Sequence, residues 1–175
     1  MHKLAVLLAA LALLLLPGSA RAAPGDPWVA YVANSVVTKQ SAASPVVLRA
    51  NPATGALTEI SRNGAQGDLF RHPYDIAVAP DGSLLVADMG AYATPSDRTA
   101  DGRIIHVDPV TGQQSLVTFG NLLVDPAGLA IAPSGLIYVI ENVGTIGQPG
   151  VVSVDPVTGS TRMMRPSAVR SDGVA

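Results

Sequence analysis

The chain has 175 residues, no cysteine, a formal net charge of -2, 48% hydrophobic residues and 14% charged ones. That balance excludes a disulfide-stapled fold and intrinsic disorder, and the scattered Lys and Arg leave no footprint for nucleic acid. The 17 glycines and 14 prolines fit many tight turns between short strands.

Residues 1–22 read as an export signal. Lys3 supplies positive charge, Leu4 to Leu16 form 13 unbroken apolar residues, and Pro17-Gly18 break the run before the small residues Ala20 and Ala22. A spanning helix needs about 20 apolar residues, so cleavage is expected, with an uncleaved anchor as the alternative. The mature segment 23–175 is expected to be secreted, extracellular or periplasmic, with no membrane span.

Three similar units follow. The first, 28–64, has strand-type segments Trp28–Asn34 and Val46–Asn51 and the corner Asn51-Pro-Ala-Thr-Gly55, but lacks a first strand. The second, 73–121, opens with PYDIAVAPDGSLLVADMG and continues with GRIIHVDPVTGQQ from Gly102. Its strands are expected at Asp75–Pro80, Leu84–Asp88, Arg103–Asp108 and Gln113–Phe119, turned by Asp81-Gly82 and by Asp108-Pro-Val-Thr-Gly112. The third, 126–166, repeats this as PAGLAIAPSGLIYVIENVG and GVVSVDPVTGST, 53 residues further on. Ser171 to Ala175 line up with Pro126 to Ala130, as the start of a further strand.

Self-similarity at this period, in strand-type segments, predicts an all-β fold of β-propeller blades, each a four-stranded antiparallel sheet. About two and a half to three blades are present, an incomplete propeller where closure takes about four to eight. The chain then reads as a piece of a longer propeller, as a half-propeller that pairs with a second copy, or as a short open stack. Exposed blade edges would make self-association possible.

The patterns P-x-[DG]-[IL]-A-[VI]-A-P-[DS]-G, [LI]-[LY]-V-x-[DE] and V-D-P-V-T-G resemble the NHL-repeat and streptogramin-lyase-like propellers. These belong to the six-bladed, TolB-like group that includes the SMP-30/gluconolactonase enzymes. The resemblance implies the fold across the mature chain. It also implies a function among lyases, lactonases and binding modules, the enzymes using acidic residues, Asn or His around a channel, often with Ca or Mg. No catalytic motif of that group can be placed on these residues, and no cofactor is identifiable from them.

In such a blade the tight turns fall at one end and the long connections at the other, which makes the long-loop end the default binding face. Candidates there are Asn34, His72, Tyr74, Asp75, Asp88, Glu141 and Asn142. Asn34, Asp88 and Glu141 occupy equivalent positions at the end of the second strand. They form either a polar ring offered to a ligand or cation, or caps for local backbone N–H groups. Asp75 stands where the other copies have Gly128 and Gly173, as a channel-lining carboxylate or a turn residue. His72, just before Pro73, is a candidate ligand contact. His106, matched by Arg49 and Ser153, reads as the solvated face of a strand. Asp97, Thr99 and Asp101 sit at the spacing of a calcium loop, weakly, since Thr99 replaces an acid. The expected function is recognition of a small molecule, glycan or protein. The alternative is a metal-assisted hydrolase or lyase whose catalytic groups lie in other blades; a third is a form with no function of its own.

Overall fold

The computed structural model describes residues 30–34, 45–90, 101–142 and 149–164. The expected leader, Trp28, Asp97, Thr99 and the segment 171–175 lie outside the described residues. Within them every element is a strand: β1 Ala30–Asn34, β2 Val46–Ala50, β3 Leu57–Arg62, β4 Pro73–Val78, β5 Leu84–Asp88, β6 Arg103–Val107, β7 Gln114–Phe119, β8 Pro126–Ile131, β9 Ile137–Glu141, β10 Gly150–Val154 and β11 Thr161–Met164. They form three antiparallel meanders, β1-β2-β3, β4-β5-β6-β7 and β8-β9-β10-β11. These are propeller blades, called blades 1, 2 and 3 below, standing side by side without closing into a ring.

Local chemistry explains the corners. Asp108 Oδ1 accepts from the amides of Val110 (2.7 Å) and Thr111 (2.9 Å), and Asp155 Oδ1 does the same for Val157 (2.8 Å) and Thr158 (2.9 Å). A short acceptor next to proline thus winds the turn itself. Gly112 closes it at φ +74°, with a backbone carbonyl of β3 lying where a Cβ would stand. Glycine is required there twice over.

The inner strands begin two residues earlier than the sequence pattern suggests, at Pro73 and Pro126. Asp88 faces Pro73 while Ala87 faces Asp75, and Glu141 faces Pro126 while Ile140 faces Gly128. Tyr74 and Ala127 are therefore the extra residues of two equivalent bulges. The irregular start hides the strand from a period-two reading.

The core lies between blades. Each blade has a rear face towards the blade before it and a front face towards the next. Leu84, Val86, Ile105 and Val107 on the rear of blade 2 pack with Val47 and Phe70. Ala77, Leu85, Ala87 and Ile104 on its front pack with Leu129, Ile137, Val139, Val152 and Val154 of blade 3. Burying such side chains stabilises by about 1.5–3 kcal/mol each, which is why both faces of a middle blade are apolar.

Polar groups fix the order of the stack. Ser61 Oγ at the end of blade 1 donates to the Gly112 carbonyl of blade 2 (2.7 Å), and Thr118 Oγ1 donates to the Gly159 carbonyl of blade 3 (2.8 Å). Gln114 Nε2 donates to Ser61 Oγ (3.1 Å) and to the Arg62 carbonyl (3.0 Å).

Candidate functional site at the loop end of the inner strands

The residues singled out at the loop end divide into two groups. Asp88 Oδ2 accepts from the amides of Arg71 (2.7 Å) and His72 (3.0 Å), and its Oδ1 accepts from Gly90 (2.8 Å). Glu141 Oε2 accepts from the amides of Val124 and Asp125, both at 2.9 Å. The same two amides, just ahead of the inner strand, are held in both blades by the group ending the second strand. A companion bond accompanies each tether: Met89 N to the His72 carbonyl (3.0 Å) and Asn142 N to the Asp125 carbonyl (3.1 Å).

Asp75 is also engaged with backbone. Its Oδ1 accepts from Ile76 N (2.9 Å) and its Oδ2 from Leu129 N (2.8 Å), so the carboxylate bridges the inner strands of blades 2 and 3. Gly128, its counterpart, leaves room for this contact, since a Cβ there would lie 3.7 Å from Asp75 Oδ2.

The second group faces outward. Tyr74, carried on its bulge, is 46% exposed. His72 is half-buried, and burial lowers its pKa against the opposing pull of Asp88 and Asp125. Asp125, absent from the sequence-derived candidates, is partly buried, which raises its pKa against a hydrogen bond from Asn142. Asn142 itself is exposed. Asp125 was legible only through its alignment with His72 one repeat earlier.

The buried carboxylates differ in charge state. Burial raises the pKa of Asp88, opposed by its three amide donors and by Arg103. Burial pushes Glu141 up to about 7, with the nearby Asp125 charge adding to the shift and two amides opposing it. Glu141 Oε1 is buried without a hydrogen-bond partner among the described residues. Half-neutral near pH 7, Glu141 has the chemistry of a proton carrier, although its side chain is fully covered.

The remaining candidates fall elsewhere. Asn34 ends β1 opposite Val46. Asp101 stands beside Gly90, and its backbone carbonyl accepts from Arg103. His106 lies at the opposite, tight-turn end, in a depression of about 420 Å³ lined by Asp81, Ser83 and Asp108 as well. Ser115 Oγ is 3.4 Å from its Nδ1. Among the described residues no group of three or more His, Asp or Glu side chains is placed to hold a metal ion.

No protein-family model and no curated protein matches the chain. Among solved structures it is similar to a nidogen/laminin complex, at 21% identity and TM-score 0.48, covering 68% of this chain and 39% of that one. It is also similar to a Bacteroides uniformis protein assigned as a 6-phosphogluconolactonase, at 18% identity and TM-score 0.46, covering 77% of this chain and 37% of that one. This chain thus spans well under half the length of either.

Proposed function

We propose that the chain is an exported recognition module of NHL-repeat type, which takes a small molecule, glycan or protein at the loop end of its inner strands. The observation that supports this reading is how the polar groups there are used. Asp75 and Asp88 spend both carboxylate oxygens on backbone amides. Tyr74 and Asn142 stand exposed beside His72 and Asp125. An aromatic platform flanked by adaptable polar groups suits binding, since Tyr supplies large contact area with few rotors to freeze.

A second reading, a metal-assisted hydrolase or lyase, draws support from Glu141 alone. A carboxyl near pKa 7 matches what general acid–base chemistry asks for, but the described residues gather no metal ligands around it.

The test is capture of the mature chain on a glycan array and by a phage-displayed peptide library. The combined variant His72→Ala, Tyr74→Ala, Asn142→Ala should weaken any captured probe at least about tenfold, or 1.4 kcal/mol. Full retention in that variant, with loss instead in His106→Ala, would place the binding face at the tight-turn end and refute the reading. Lactone hydrolysis that needs Mg²⁺ or Ca²⁺ and vanishes in Glu141→Gln would establish the second reading in its stead.

A further inference from the structure

The two outermost faces of the stack carry matched changes. On the front faces, cross-strand partners form one row per blade: Ala33, Val47 and Ser61 in blade 1, Ala87, Ile104 and Thr118 in blade 2, and Ile140, Val151 and Met164 in blade 3. In blade 2 these residues are 0%, 0% and 6% exposed, because blade 3 covers them; in blade 3 they are 56%, 38% and 43% exposed. The open row has also lost its polar latch, since Met164 stands where Ser61 and Thr118 donate to the next blade.

The rear face of blade 1 is open in the same way. Leu48 and Ala50 hold the places of Ile105 and Val107, which are fully buried in blade 2, and are only partly covered. Beside them Leu57 is 62% exposed, at the position where blade 2 carries Gln114. That Gln114 is the partner of Ser61 across the junction of blades 1 and 2. A polar pair, Ser61 and Gln114, thus has an apolar counterpart split between the two free faces, Met164 at one end and Leu57 at the other. Each substitution alone would leave a latch half-made; together they form a hydrophobic contact.

We propose that the front of blade 3 docks onto the rear of blade 1 of a second copy of this chain, with Met164 and Ile140 of one copy against Leu57 and Leu48 of the other. The contact is head-to-tail, and a head-to-tail contact made twice closes a ring when the rotation allows. Two three-bladed chains then give a six-bladed propeller, within the range at which propellers close. The occupant is a second copy rather than an unrelated surface because the missing polar partner and its replacement both belong to this sequence.

The chain has no cysteine of its own, so engineered thiols report the contact directly. Leu57→Cys and Met164→Cys variants of the mature chain, mixed and oxidised, should yield a mixed disulfide dimer at least about tenfold in excess of either like-with-like product. Light scattering on the unmodified chain should give a dimer, and Ile140→Asp or the milder Met164→Thr should raise its dissociation constant at least tenfold while far-UV circular dichroism keeps its strand signature. A monomer at every concentration, open-ended filaments, or a dimer linked Met164-to-Met164 would each overturn the proposal.

Discussion

Asp88 and Glu141 hold the same place in successive blades and grip the same pair of upstream amides, yet one is fully used and the other is not. Asp88 is short enough for its second oxygen to reach back to Gly90 N, two residues on. Glu141 is one methylene longer, and its Oε1 is left bare under cover. An identical tether therefore stabilises blade 2 through an ionised group and blade 3 through one whose ionisation is penalised. Repeat position fixes the backbone role, and a single methylene decides whether the carboxyl remains chemically available.

The largest expected effect lies on the Asp88 side. Asp88→Ala removes the acceptor of three amides, two of which set the entry of β4. With unpaired buried donors costing about 1–3 kcal/mol each, partly offset by water at the loop end, a loss of about 3 kcal/mol is expected in chemical denaturation. A loss below about 1 kcal/mol would show that water replaces the carboxylate without cost.

Glu141 sharpens the contrast through pH. Its carboxyl titrates at about 7 when folded, against an ordinary value of 4.5. Between those values the folded chain holds more protons than the unfolded one, so stability falls as pH rises through that window and levels off above it. The shift corresponds to about 3 kcal/mol at 1.36 kcal/mol per pH unit, and to roughly 2 kcal/mol once water near the loop is allowed for. Glu141→Gln keeps an acceptor for both amides and should flatten that part of the profile. An unchanged profile in the variant would assign the titration to Asp125 or another group.

Much of the fold was legible because its determinants are local. The corners at Asp108 and Asp155 wind themselves through side-chain acceptors, and copies of one sequence must adopt one path. The equivalence of Asn34, Asp88 and Glu141 was legible for the same reason. What they grip was not, because Arg71, His72, Val124 and Asp125 offer only backbone amides, which no residue type announces. Ser61 and Thr118 were missed too. A small hydroxyl residue recurring 57 positions apart in otherwise apolar outer strands was the available signal, and it is a faint one. Tyr74 stood out as an aromatic, but only the bulge explains why it points away from the sheet.

The most direct measurement is amide hydrogen exchange at Arg71, His72, Val124 and Asp125, four N–H groups outside any strand ladder except through these tethers. Protection of all four is expected in the intact chain, with Asp88→Ala releasing Arg71 and His72 while Val124 and Asp125 stay protected. Exchange of all four at the rate of free loops would contradict the tether that places the inner strands, and with it the binding face built upon them.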